Sequence, residues 1–194
     1  MNLRHHLRVS ILMTLVTTAL LGIAYPLAMT GAAQFLYPGK ANGQLVERGG
    51  RVVGSRLIGQ PFTSAHYFHG RPSAAGQGYD AANSGGTNLG PTSRQLIDRV
   101  AGAVAAARAE NPSATVPVDL VTTSASGLDP DLSPAAALFQ VPRVARARGV
   151  APQTLEAFVL ARVEERQFAF LGEPRVNVLE LNLALDRQWP TTRK

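Results

Sequence analysis

The chain has no cysteine. That excludes a disulfide framework, a thiolate metal site and the modified cysteine of a lipoprotein anchor. Lysine is almost absent, with only Lys40 and Lys194, so the basic character rests on arginine. Charge itself is missing over one long stretch, because no Asp, Glu, Lys or Arg occurs between Val9 and Gly39. Signatures of catalysis are missing too. There is no G-x-S-x-G elbow, no S-x-x-K and no phosphate loop with its lysine. The residues present no catalytic set.

What is there begins with the charge-free stretch, which is rich in Leu, Ile, Val, Ala and Met. A helix crossing a hydrocarbon core needs about 20 apolar residues, and a single segment satisfies its own backbone there only as a helix. The pattern predicts a tail over 1–8, a transmembrane helix over 9–29 and an exit linker over 30–48. Ser10, Thr14, Thr17 and Thr18 fit such a helix, because each hydroxyl can bond a carbonyl one turn earlier. Pro26 is expected to break the hydrogen-bond ladder near the outer end. A cleaved signal peptide is the rival reading, with Thr30-Gly31-Ala32 as its small-residue site, although its apolar part would run to only about 7–15 residues.

Arg4 and Arg8, with His5 and His6, precede the span, and no acid opposes them. By the positive-inside tendency the N-terminus stays in the cytoplasm and the remainder is exported. Lys40, Arg48 and Arg51 on the far flank work against that bias. All 13 acidic residues follow the span, as do all Lys and Arg except Arg4 and Arg8, leaving a formal +4. The cations do not alternate with aromatics, so no nucleic-acid partner is expected.

Residues 49–194 suffice for one domain with its own core. Short strands are expected at Leu45-Val46, Arg51-Val52-Val53 and Leu57-Ile58 around the Gly49-Gly50 turn. Residues 60–91, dense in Gly, Ser, Pro and Asn but carrying Phe62, Tyr67, Phe68 and Tyr79, read as an ordered irregular loop. Thr92 or Ser93 caps a helix with Leu96, Val100, Val104 and Ala107 on one face. Val116 to Val121 reads as an edge strand because of Pro117. Ser133-Pro134 opens a second helix, which Pro142 should kink or restart and Gly149 ends. A third begins near Pro152 and carries Leu155, Phe158, Val159, Val163 and Phe168. The runs 176–179 and 181–185 read as one or two strands. The class is therefore α+β: one N-terminal transmembrane helix, then a single mixed domain with a small sheet.

His66 and His69 offer two imidazoles, but a zinc site wants further ligands that the sequence does not specify, and loop packing is the alternative. Asp119, Asp129 and Asp131 suit either a cation site or the turn that leads into the Ser133 helix. Ser84-Gly85-Gly86-Thr87-Asn88 and Ser124-Ala125-Ser126-Gly127 are Gly/Ser loops able to present N–H groups to a phosphate. No metal ligand set and no tightly bound cofactor is expected.

The irregular segments come in a telling order. Leu57-Ile58-Gly59-Gln60, residues 67–74 (Tyr-Phe-His-Gly-Arg-Pro-Ser-Ala) and Ser84 to Leu89 precede Val116 to Thr122. Then come Ser126 to Pro130, Gln140 to Ala145 and Val176 to Asn182. With Tyr25-Pro26-Leu27 in the anchor, this series resembles the C subunit of the bacterial Kdp potassium-transporting P-type ATPase over essentially the whole chain. The resemblance implies a non-catalytic subunit needed for assembly and activity of an ATP-driven potassium uptake complex. Its partners would be a potassium-channel-like subunit, an ATP-hydrolysing subunit and membrane lipid. It also implies a catalytic chaperone that raises the ATP affinity of the hydrolysing subunit, with Gln140 at the position linked to nucleotide. ATP is cytoplasmic, whereas the charge flanks put the domain outside. The other account places the domain over the outer mouth of the potassium path, with any effect on ATP transmitted through the complex. Tyr67, Phe68, His69, Arg71, Asn88, Asp129 and Arg143 are the candidate partner contacts. Gly22, Ala24, Ala28 and Gly31 would let a neighbouring helix approach the anchor closely, or would simply face lipid. A stand-alone membrane-tethered hydrolase or solute-binding module is the competing class.

Overall fold

The computed structural model describes residues 2–190, so residues 191–194 of the predicted domain lie outside the described residues. The chain divides into two compact units, with the boundary between Leu45 and Val46.

The first unit is dominated by one helix over Leu3–Leu36, 34 residues and about 50 Å long. It is long and apolar enough to cross a membrane. It comprises α1 (Leu3–Thr17), a π-helical stretch (Thr18–Ala24) and α2 (Tyr25–Leu36). Pro26 does not break it. Proline lacks the N–H and crowds the carbonyl four residues back, and the wider i→i+5 turn just upstream absorbs that misfit. Thr17 behaves as a membrane threonine should, its Oγ1 donating to the Met13 carbonyl at 2.8 Å. A short helix α3 (Pro38–Ala41) follows, and the amides of Gln34 and Asn42 pair reciprocally at 3.2 Å.

The second unit bears out the α+β expectation, with helices and two separate two-stranded sheets. Strands β1 (Leu45–Arg48) and β2 (Arg51–Ser55) form a hairpin around Gly49-Gly50. Leu57-Ile58 does not continue it. The Ser55 hydroxyl accepts the Leu57 N–H at 3.1 Å, which turns the chain there instead. Helix α4 (Arg94–Glu110) begins after Ser93 as expected. Val116–Val121 is not a strand but holds one 3₁₀ turn, Val118–Leu120. Pro117 withholds an N–H, and Asp119 turns inward to accept the Ser133 N–H and hydroxyl at 2.8 and 3.1 Å.

The remaining elements come as two strand-to-helix steps. Strand β3 (Asp131–Leu132) runs through Ser133 into α5 (Pro134–Arg148). Strand β4 (Val176–Asn177) runs straight into α7 (Val178–Gln188). The strands pair antiparallel, Asp131 with Asn177 and Leu132 with Val176, so α5 and α7 start side by side. Each start is capped: Ser133 Oγ accepts the Ala136 N–H and Asn177 Oδ1 the Glu180 N–H, both at 3.1 Å. Gly149 ends α5 in the left-handed conformation. Pro142 lies on the exposed side of α5 and does not interrupt it. Helix α6 (Pro152–Leu160) stops before Val163 and Phe168.

The closing run was expected to be strand, and α7 corrects this. Val178, Leu181, Asn182 and Leu185 recur at three and four residues and are all buried, which is a helical face. Alternate leucines in the same run mimic a strand. One core lies among α5, α6 and α7, with Val144, Leu155, Val159 and Leu185 around Phe68. Phe68 belongs to the irregular loop, yet it is fully buried, and that burial contributes about 1.5–3 kcal/mol.

Candidate functional site

The Phe68 ring can sit in the core only if the polar backbone carrying it finds partners. Asn182 of α7 supplies them for Phe68. Its Oδ1 accepts the Phe68 N–H at 2.8 Å and its Nδ2 donates to the Phe68 carbonyl at 2.9 Å. Gln140 of α5 repeats the arrangement one residue later. Its Oε1 accepts the His69 N–H at 2.8 Å, and its Nε2 donates to the His69 carbonyl at 3.0 Å and the Ala136 carbonyl at 3.3 Å. Each amide imitates a β-ladder partner for one loop residue. Both are nearly inaccessible, Gln140 at 3% and Asn182 at 1%.

Two arginines of α5 extend the clamp. Arg143 donates to the carbonyls of Ala65 and Tyr67 at 3.0 and 2.9 Å, to Gln140 Oε1 at 2.6 Å and to Glu110 at 2.9 Å. Arg148 donates to the His66 carbonyl at 2.8 Å, the Trp189 carbonyl at 2.7 Å and Asp186 at 2.9 Å, and stacks over the Tyr67 ring at 5.0 Å. The Tyr67 hydroxyl donates to Asp186 at 3.1 Å. Every carbonyl from Ala65 to His69 therefore accepts from a side chain of α5 or α7.

Arg71 and Asp129 form a second centre, an ion pair at 2.9 Å. Arg71 also reaches the Thr122 hydroxyl and the Thr123 carbonyl, and its own carbonyl accepts from the Tyr79 hydroxyl at 2.6 Å. Asp129 Oδ1 accepts the Asp131 N–H at 3.1 Å, the bond of a turn leading toward the helix. The two Gly/Ser loops meet each other rather than an open space: the Gly85 N–H and Ser84 hydroxyl both donate to the Ser126 carbonyl at 2.9 Å. Asn88 stands apart, exposed, with φ of 52°. His66 and His69 both turn back on Ser64, at 3.2 and 3.0 Å. Among the described residues no group of three or more His, Cys, Asp or Glu is placed to hold a metal. In the first unit, the small residues Gly22, Ala24, Ala28 and Gly31 are exposed, with nothing within 4 Å of a Cβ added at Gly31.

Burial shapes the ionisation. It holds the His69 imidazole below its usual range, with nearby Arg143 acting in the same direction and the Ser64 carbonyl opposing. Burial also raises the Asp131 carboxyl, against the Asn177 amide and Arg175. A cleft of about 320 Å³ separates α4 from this cluster, lined by His69, Gly70, Ala103, Ala107, Phe139 and Gln140.

The structure thus gathers Tyr67, Phe68, His69, Gln140 and Arg143 into one network and Arg71 with Asp129 into another. Sequence reasoning missed Asn182, Arg148 and Asp186. An asparagine inside the run Leu181-Asn182-Leu183 carried a signal, since a polar residue amid core positions must be satisfied by something.

Taken together, these features define a protein with one membrane-length helix and an α+β domain built around a clamped loop. The family described as the c chain of the K+-transporting ATPase, KdpC, matches residues 7–187. A potassium-transporting ATPase KdpC subunit of Methylorubrum populi is 60% identical over 193 residues, 93% of this chain and 96% of that protein. The KdpC subunit of Koribacter versatilis is 58% identical over 188 residues, 97% of each. The chain belongs to the KdpC family, and is a subunit of a potassium-transporting ATPase complex.

Proposed function

We propose that this chain is a non-catalytic accessory subunit of an ATP-driven potassium uptake pump, needed for the pump's assembly and activity. Its helix holds it in the inner membrane, N-terminus in the cytoplasm, and its α+β domain works from the periplasmic side beside the channel-like subunit. In this reading any effect on ATP affinity reaches the ATP-hydrolysing subunit through the assembled complex. The observation that carries it is the state of Gln140. Both its amide hydrogens and its oxygen are engaged inside the fold, and 3% of the residue is exposed. A nucleotide contact would first have to dismantle the His69 clamp, leaving two half-buried backbone groups without partners.

Three results are expected. Protease added to spheroplasts making the whole complex removes the domain after the anchor; full protection would overturn the periplasmic placement. In the assembled complex a photoreactive ATP analogue labels the hydrolysing subunit and not this one. Gln140→Ala lowers the stability of the full chain in detergent by about 2–4 kcal/mol, because the His69 N–H and carbonyl both lose their partner. Labelling of the wild-type subunit that Gln140→Ala abolishes without loss of stability would support direct nucleotide contact instead.

A further inference from the structure

Beyond α6 the chain forms a long antiparallel hairpin. Glu164 and Arg175 bridge its base through reciprocal backbone bonds of 2.8 and 3.0 Å, and Gln167 and Leu171 close its tip through two of 2.9 Å. The base is tied to the domain. Glu164 pairs with Arg56 at 3.3 Å and Arg175 with Asp131 at 3.3 Å, and Arg166 pairs with Glu173 across the stem. At the tip Phe168 and Ala169 take φ of 53° and 67°. Neither is glycine, and left-handed backbone at such residues costs on the order of 1 kcal/mol each. The result of that strain is to lift apolar side chains out of the domain. Phe168 is 75% exposed, Phe170 70% and Leu171 48%. Phe168, expected from the sequence to lie on the third helix, is one of the most exposed large side chains of the domain.

The charges beside the tip say what kind of surface it meets. Arg162, Glu164, Glu165, Arg166, Glu173 and Arg175 carry three charges of each sign. Residues 161–175 hold no lysine, tryptophan or tyrosine. A loop that inserts into a bilayer surrounds its apolar residues with cations for anionic headgroups and with Trp or Tyr for the interface. This stem has no net pull toward such a surface. Two aromatic rings ringed by charges of both signs match instead the centre and rim of a protein interface. The family is one chain of a multi-chain ATPase, so protein partners are present wherever the subunit works. We propose that the 164–175 hairpin is a docking finger whose Phe168 and Phe170 enter an apolar cleft, rimmed by mixed charge, on another protein subunit of the pump. Its stiffness lowers the ordering cost of docking.

The test uses the full chain co-produced with every other subunit of the pump and isolated in mild detergent. With Phe168 replaced by the photo-crosslinker p-benzoylphenylalanine, illumination of membranes gives a covalent adduct with one pump subunit. An adduct with lipid alone, or no adduct, overturns the proposal. Phe168→Ser combined with Phe170→Ser lowers recovery of the complex about ten-fold or more, the size of effect that loss of an aromatic anchor produces. The same change leaves the unfolding midpoint of the isolated full chain in place, since both rings are mostly exposed. Undiminished recovery of the complex also overturns it.

Discussion

Arg148→Ala is expected to lower the stability of the domain by about 3–5 kcal/mol, the range for removing one partner of a buried ion pair. The arginine side chain is 1% exposed. Its guanidinium joins three segments. It bonds the His66 carbonyl of the loop, Asp186 of α7 and the Trp189 carbonyl beyond that helix, while stacking on Tyr67. Removing it leaves Asp186, whose side chain is 16% exposed, with the Tyr67 hydroxyl and the more exposed Arg48 at 3.2 Å. Two carbonyls lose their donor as well. Against a total stability of about 5–15 kcal/mol for a domain, such a loss is severe. Urea unfolding of the full chain in detergent, followed by far-ultraviolet circular dichroism, measures it. Arg148→Lys should recover only part, because the three N–H groups of an ammonium radiate from one nitrogen, whereas Arg148 reaches its three acceptors from three separate nitrogens of a planar fork. Removing Arg166, an exposed cation paired with Glu173, should cost under about 1 kcal/mol. An Arg148→Ala protein as stable as that surface variant would contradict the clamp.

Gly127→Ala is expected to cost about 2–4 kcal/mol, combining left-handed backbone strain with overpacking. Gly127 has φ of 68°, and a Cβ there would lie 2.6 Å from the Ala75 backbone nitrogen, 2.8 Å from Ala75 Cβ and 2.9 Å from the Gly85 carbonyl oxygen. Ala75 is fully buried and Gly127 is itself buried, so there is no flexible side-chain end to move aside. Gly149 provides the control. It has φ of 66° but nothing within 4 Å of an added Cβ. Gly149→Ala should therefore show the backbone cost alone, about 1–2 kcal/mol. The difference between the two variants isolates the contact among the three loop segments. Equal losses would mean that the loops yield readily and that the packing at Gly127 is slack.

Several features were determined by the sequence alone, and they are the local ones. The charge-free run from Val9 to Gly39 specifies a membrane-length helix, because hydrophobicity and backbone satisfaction act along a single segment. Ser133-Pro134 and Gly149 mark the ends of α5 for the same reason, since a cap bonds residues only a few positions away. The ordered motifs specify the family. Tertiary structure decided the rest. The run 176–185 is compatible with period two and with period 3.6, and only burial of Leu181 and Leu185 against α5 and α6, and of Val178 against Leu132 and Ala136, selects the helix. Phe168 reads as part of the third helix until the fold places it at the tip of a hairpin. The clamp itself joins residues 71 and 114 positions apart in sequence. A glutamine or asparagine shows its partner only when the fold brings an unpaired stretch of backbone to it, and that meeting is a property of three dimensions.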